Sequence, residues 1–176
     1  MGRRTPAAHT LTHSLHRIAM NDPDVIDRAA GLAPGDPLHT ARRFRAKVVE
    51  ATQASHDALL TQPVPGLSPA DRLRVAVHAC EAAGATSLAD HYAALLASED
   101  SRSAASSPAL PEMLRFAARL TTDPRLSDRT ALAALKEAGL DDAAIVALAQ
   151  LVAFLSYQLR VVAGLKAMRS SRGDRP

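Results

Sequence analysis

The sequence predicts an all-α protein, and its composition and its apolar periodicity carry that prediction. Apolar residues make up 47% of the 176 residues, whereas aromatic residues make up 3% and tryptophan is absent. The core must therefore be aliphatic. Ala and Leu are strong helix formers, and no segment shows the alternating apolar and polar residues of a half-buried strand. A chain of this length is expected to form one domain around one core.

Local signals place the first helices. Asp22, as an N-cap followed by Pro23 at the first helical position, predicts a short helix that ends at Gly31. The cluster of Pro, Gly and Asp over 34–37 predicts a turn. Apolar residues then follow a helical period over 38–60, which predicts one continuous helix.

The strongest local signal begins at Ser68. This residue is a good N-cap, a proline follows it at the first helical position, and Asp71 is the acid that answers the cap. The helix is expected to end at Gly84, a suitable residue for the left-handed position after a helix. Thr86 or Ser87 then caps the next helix.

The second half of the chain predicts three more helices after a polar linker over 98–111. The first of them begins near Pro111. A second, short helix is capped at 127–128 and ends at Gly139. The third begins at 141–142 and keeps a 3.6-residue apolar period over some twenty-five residues.

The expected domain limits and the net charge indicate which kinds of partner the chain can have. Residues 1–20 are expected to be a tail, residues 21–170 a single helical domain and residues 171–176 a second tail. The first nineteen residues carry three arginines and no acid, which accounts for the net charge of +3. The rest is balanced, so we expect no nucleic-acid partner. The N-terminal segment resembles a transit peptide superficially, but a tail or an over-extended start is favoured.

The sequence also predicts where the protein is located and which cysteine chemistry it lacks. No uncharged apolar run approaches the roughly eighteen residues of a membrane span, so we expect no membrane partner. The N-terminus has no apolar segment typical of a secretory signal, and a cytoplasmic location is expected. Cys80 is the single cysteine, which excludes an intramolecular disulfide and a cysteine-based metal cluster.

The helix pair over 67–92 resembles the redox helix pair of the carboxymuconolactone decarboxylase and alkylhydroperoxidase (AhpD-like) superfamily. Its redox-active members carry Glu, eleven residues, then Cys-x-x-Cys-x-x-x-His. When that pattern is registered on His91, the two cysteine positions fall on Gly84 and Ser87 and the glutamate position falls on Arg72. The motif has therefore lost three of its four active residues.

The closing segment, residues 132–165, is similar to that of peroxidase-related members of the same superfamily, with Arg160 four residues before Gly164 and Leu165. Together the two segments place the resemblance over about 22–168. It implies an AhpD-like bundle of about six to eight helices. It also implies a homo-oligomer, a dimer, trimer or hexamer, and its dithiol chemistry requires no cofactor.

The lost residues predict that the dithiol chemistry is lost as well. In active relatives a thiolate near a helix N-terminus attacks the peroxide, and the second cysteine resolves the sulfenic acid as a disulfide. Gly84 has no side chain to oxidise, and the hydroxyl of Ser87 cannot replace a thiol. Arg72 reverses the charge of the acid that relays protons. We therefore expect no dithiol peroxidase activity.

Three residues remain candidates for chemistry or binding. His91 could serve as an acid or base in a remodelled pocket, or it is an inherited, hydrogen-bonded histidine, which we favour. Cys80 could be a relocated reactive thiol, but a buried core cysteine is favoured because it lies near the negative end of its helix. Arg160 could face a ligand anion, although a salt bridge with an acid such as Asp90 is favoured.

Other polar groups are weaker candidates. His78 and Glu81 lie three residues apart and are more typical of a solvated helix face than of a ligand pair. His9, His13 and His16 have helical spacing for metal ligands, but they fall in the expected tail, so no metal site is predicted. Tyr157 and Gln158 lie beside Arg160 on the last helix, which the resemblance places near the active pocket.

Three functions follow from these observations. The first is a divergent AhpD-like protein, antioxidant by ancestry but without dithiol peroxidase activity. The second is a non-redox enzyme or small-molecule binder of the decarboxylase or lactone type that uses His91. The third is a pseudo-enzyme that stabilises a cysteine-bearing paralogue of the same family.

Overall fold

A computed structural model describes residues 24–100 and 106–173, and within these ranges the chain is all-α, as predicted. The helices, in chain order, are α1 (Val25–Ala30), α2 (Pro37–Arg42), α3 (Ala46–Thr61), α4 (Pro69–Ala82), α5 (Thr86–Asp100), α6 (Leu110–Thr122), α7 (Arg129–Glu137) and α8 (Asp142–Gly173). Short 3₁₀ turns at Arg43–Arg45 and Pro124–Leu126 precede α3 and α7.

The first helix is capped by Asp24. Its carboxylate accepts the backbone N–H groups of Ile26 and Asp27, and the helix ends at Gly31 in the left-handed conformation with φ 69°. The predicted N-cap, Asp22, lies outside the described residues. The predicted end of this helix is thus confirmed, and its start falls two residues later than predicted.

The single helix predicted over 38–60 is wrong, because the chain breaks at Arg43–Arg45. A helix already starts at Pro37, capped by Asp36, inside the segment predicted to be a turn. The break has an electrostatic reason. Arg42 and Arg43 both donate to the buried carboxylate of Asp27, at 2.8 Å and 2.7 Å. Consecutive residues of a regular α-helix point about 100° apart, so the tighter turn helps both arginines reach one acid.

Helices α4 and α5 form the central pair. The predicted capping of α4 is confirmed, whereas the predicted cap of α5 at Thr86 or Ser87 is wrong, because α5 already begins at Thr86 and the hydroxyl of Ser87 bonds to Ala29 and Lys166 instead. The hydroxyl oxygen of Ser68 accepts the N–H of Asp71 at 3.1 Å. Gly84 adopts φ 67°, and the N–H of Ala85 donates to the carbonyl of Cys80 at 2.9 Å. This arrangement satisfies carbonyls at the end of α4 and turns the chain directly into α5.

The polar segment between α5 and α6 is shorter than the linker predicted over 98–111. Helix α5 runs to Asp100 and α6 begins at Leu110, and residues 101–105 lie outside the described part of the chain. Residues 98–100 and 110–111 are therefore helical. The predicted caps of α7 and α8 are confirmed, since Asp128 accepts from Thr130 and Asp141 accepts from Ala144 at 2.7 Å.

Helix α8 is the long wall of the core, 32 residues in length. It packs against α1, α3, α4, α6 and α7. Its segment Asp142–Ser171 contains an 18-residue window with a mean hydropathy of 1.7 and is long and apolar enough to cross a membrane by length and composition. The expectation that no segment has that composition is therefore wrong. Much of its apolar side contributes to the core, through Ala144, Ile145, Leu148, Leu151, Val152, Leu155, Val162 and Leu165.

Candidate functional site

Arg72, at the glutamate position of the redox pattern, is a buried structural residue. Its Nε and Nη2 donate to the carbonyl oxygen of Leu67 at 3.1 Å and 3.0 Å, and its Nη1 donates to that of Leu59 at 2.9 Å. Burial lowers the pKa of this guanidinium. The side chain thereby ties the end of α3 and the loop before α4 to α4 itself.

Gly84 and Ser87, at the two cysteine positions of the redox pattern, also have structural roles. Gly84 is exposed and holds the left-handed turn between α4 and α5, a conformation that disfavours any residue with a Cβ. The hydroxyl of Ser87 donates to the carbonyl of Ala29 at 2.9 Å and accepts from Nζ of Lys166 at 2.8 Å. Ser87 therefore links α5 to both α1 and α8.

Cys80 is fully buried on α4. Burial, and secondarily the charge of Glu81, raises the pKa of its thiol to about 12. Since the thiolate is the nucleophilic form, this environment disfavours thiol chemistry at neutral pH. The surroundings match the buried core cysteine that the sequence favours.

His91 lies on α5 beneath α1 and is only 9% exposed. Its Nδ1 is 3.4 Å from Nη1 of Arg28, which lies on α1. Burial, and secondarily the charges of His56 and Arg28, lower the pKa of His91 to about 4. The imidazole is therefore neutral at pH 7.

His56 is a second buried histidine next to His91, and its position there was not predicted from the sequence. It lies on α3, is 7% exposed, and its ring centre is 5.9 Å from those of both His91 and Tyr92. Its Nδ1 is 3.0 Å from a carboxylate oxygen of Asp57. One feature of the sequence could have predicted that His56 is buried. It lies on the same face of the helix as Val49, seven residues earlier, which is also buried.

Tyr92 closes this region from the side of α8. Its hydroxyl donates a short hydrogen bond to Oε1 of Gln158, and both side chains are buried. Burial raises the pKa of Tyr92 and the nearby Cys80 adds to that effect, while the bond to Gln158 opposes it. Tyr92 is therefore a protonated donor. Of the neighbouring pair predicted to lie near the pocket, Gln158 reaches this cluster, while the exposed Tyr157 packs its ring 6.1 Å from that of Phe154.

Arg160 lies on a different surface, at an open hollow of about 370 Å³ between the start of α5 and α8. The hollow is lined by Ala83, Gly84, Ala85, Thr86, Leu159, Arg160, Val162, Ala163 and Lys166. Within the described residues no hydrogen bond or ion pair joins Arg160 to another side chain, so the expected salt bridge with Asp90 does not form there.

The remaining polar candidates do not assemble a site. His78 is half-buried and Glu81 is exposed on α4. His9, His13 and His16 lie outside the described residues. Over residues 24–100 and 106–173, no group of three or more His, Cys, Asp or Glu side chains is placed to hold a metal ion.

The architecture is similar to that of a solved structure. The crystal structure of an uncharacterized peroxidase-related protein from Silicibacter sp. TM1040 matches 90% of this chain and 86% of that one, with 20% sequence identity and a TM-score of 0.53. The two chains share a fold. No protein-family model matches the sequence, and no curated protein matches it. The likeness agrees with the predicted resemblance at the level of fold.

Proposed function

We propose that this protein is a divergent, AhpD-like relative of peroxidase-related proteins that binds a small carboxylic acid instead of reducing peroxide. The observation that carries the proposal is the hollow in which Arg160 and Lys166 stand beside Gly84, one of the cysteine positions of the redox pattern. A guanidinium binds a carboxylate through two parallel hydrogen bonds, and the lysine ammonium adds a second positive charge.

The surroundings of the redox positions support the absence of a dithiol cycle. A peroxide-reducing thiol needs exposure and a lowered pKa, whereas Cys80 is buried and its pKa is raised to about 12. Arg72 and Ser87 are held in hydrogen bonds to backbone carbonyls, which leaves no acid at the relay position.

Hydroperoxide consumption with a dithiol donor tests the redox part of the proposal. We expect the wild type to consume peroxide at the background rate, and Cys80→Ser and His91→Ala to give the same rate. Turnover that disappears in Cys80→Ser would show that Cys80 is a one-cysteine peroxidase thiol, and would overturn this part.

Calorimetric titration with acetate, succinate and benzoate tests the binding part. We expect at least one acid to bind, and Arg160→Ala to weaken it by roughly 10- to 100-fold, as for loss of a charged hydrogen-bonding partner. Arg129→Ala is the matched control, because Arg129 is exposed at the start of α7 and does not line the hollow. Equal weakening in both variants, or no binding by any acid, contradicts the proposal.

We also propose that the chain assembles with copies of itself. Phe44 is 87% exposed, Val48 follows it by four residues, and Thr52, a turn further on, contacts the exposed Tyr157 on α8. Exposed apolar side chains grouped in this way favour a subunit interface. Light scattering of wild type and Phe44→Glu tests this, and a wild-type monomer contradicts it. A cysteine-bearing partner and a cytoplasmic location stay predictions.

A further inference from the structure

Two neighbouring buried histidines each have one ring nitrogen without a hydrogen-bond partner. The Nε2 atoms of His56 and His91 are both buried, and neither has a hydrogen-bond partner in the described structure. The rings are tilted by 45° with their centres 5.9 Å apart. Leaving one buried polar atom unpaired costs about 1–3 kcal/mol, so two neighbouring ones indicate a place where a further molecule can bind.

The other ring nitrogens fix the tautomer of each histidine. Arg28 can only donate, so Nδ1 of His91 accepts, and the proton of the neutral ring lies on Nε2. Nδ1 of His56 lies 3.0 Å from a carboxylate oxygen of Asp57, to which it donates. In the neutral ring of His56, Nδ1 therefore carries the proton and Nε2 is unprotonated. The amide nitrogen of Gln53 is farther from this Nδ1, at 3.3 Å, and bonds the same carboxylate at 2.9 Å.

One unpaired nitrogen is therefore a donor and the other an acceptor. A hydroxyl group has the complementary pair of functions, because its oxygen accepts from His91 and its proton is donated to His56. Two hydrogen bonds of about 2.8 Å to one oxygen atom are within reach of rings whose centres lie 5.9 Å apart. A metal cation fits less well, since it needs an unprotonated Nε2 on both rings and Arg28 places a positive charge beside one of them.

We propose that His56 and His91 bind the hydroxyl group of a small alcohol. His56 and His91 are 7% and 9% exposed as whole residues, so the site lies just beneath the surface, under α1 and Arg28. Tyr92 packs edge-on against His91, with ring centres 5.2 Å apart, and forms an apolar wall. The site shares no residue with the hollow at Arg160, and its existence does not depend on acid binding there.

Nitrogen-15 NMR of the imidazole rings tests the proposal. We expect the spectra at pH 7 to show protonated Nε2 in His91 and protonated Nδ1 in His56. Titration with ethanol should shift the Nε2 signals of both rings. Acetone, which only accepts hydrogen bonds, should shift His91 alone. The opposite tautomer in either ring, or no response to ethanol, overturns the proposal.

Two variants separate the Nε2 atoms from the rest of the rings. Asparagine retains a polar group near the Nδ1 position and lacks Nε2, so His56→Asn and His91→Asn should each weaken ethanol binding roughly tenfold, as for loss of one hydrogen bond. If one variant fails to fold, the other still supplies the test. Arg129→Ala is the control, because Arg129 is exposed on α7, and it should bind ethanol like the wild type. Unchanged binding in a folded asparagine variant overturns the proposal.

Discussion

The redox-pattern positions Arg72 and Ser87 and the histidine pair beneath α1 differ in how their polar groups are satisfied. Arg72 donates three hydrogen bonds to carbonyl oxygens, and Ser87 both donates and accepts. In the histidine pair, each ring has one engaged nitrogen and one unpaired nitrogen. The positions at which the resemblance implies chemistry make structural contacts, whereas a pair that only the fold brings together retains open bonding capacity.

This difference gives a physical criterion for separating structural polar groups from ligand-binding ones. A buried polar group with all its partners stabilises the structure, and substitution reveals that contribution as lost stability. A buried polar group without a partner destabilises the structure until something binds it. Substitutions at Arg72 and Ser87 should therefore change stability, and substitutions in the histidine pair should change ligand binding and the dependence of stability on pH.

The largest expected effect is at Arg72. Arg72→Ala removes three charge-assisted bonds and leaves the carbonyls of Leu59 and Leu67 without this partner, so we expect the free energy of unfolding to fall by at least about 3 kcal/mol. Arg72→Glu restores the acid of the redox pattern and should be worse, because a carboxylate would face carbonyl oxygens. Urea denaturation measures both.

The control for Arg72 is Arg115→Ala. Arg115 is exposed and pairs with Glu112 on the surface of α6, so its loss should cost less than about 1 kcal/mol. A similar small loss for Arg72→Ala would show that the attachment of α3 and the following loop to α4 does not depend on this side chain, and the comparison between the two regions would fail.

The second effect is a dependence of stability on pH that originates at His91. Its pKa is about 4 in the folded protein against 6.5 for an ordinary histidine, so the unfolded chain binds more protons between these values. The contribution of His91 to the free energy of unfolding is complete above pH 6.5. It is lost as the pH falls toward 4, by roughly 3 kcal/mol at most. His91→Asn should lack this loss.

Urea midpoints measured from pH 7.5 to 4 in both proteins check this prediction. The carboxylates titrate in both, so the difference between wild type and His91→Asn isolates the histidine. Parallel pH profiles would mean that His91 is protonated as readily in the folded chain as in the unfolded one. Both the neutral ring and the tautomer inferred from Arg28 would then be wrong.

Local signals in the sequence predicted the boundaries that depend on neighbouring residues. The cap at Ser68, the turn at Gly84 and the starts of α7 and α8 each depend on side chains within a few residues of the backbone they satisfy. These features could be predicted because the physics that fixes them is local.

The failures depend on contacts between distant segments. The helix predicted over 38–60 breaks because two arginines reach Asp27, some fifteen residues earlier. His56 and His91 are thirty-five residues apart in sequence, and nothing in the spacing of either predicts that their rings meet. A periodic pattern places a residue on a helix face, but it does not say which residue of another helix that face contacts.

The smallest effect is at Ser87, and it tests whether this residue, at a cysteine position of the redox pattern, is structural. Ser87→Ala removes the bonds to the Ala29 carbonyl and to Lys166, of which only the first is partly buried, so we expect a loss of about 1 kcal/mol. Ser55→Ala is the matched control. That exposed hydroxyl bonds only to the carbonyl one turn earlier in its own helix, and alanine is the better helix former.

Chemical denaturation should therefore show a lower stability for Ser87→Ala and an unchanged or slightly higher one for Ser55→Ala. If Ser87→Ala costs nothing, the attachment of α1 to α5 depends instead on the contact of Arg28 with His91. Ser87 would then be as free as His56 and His91 to bind a ligand, and the comparison between the two regions would rest on Arg72 alone.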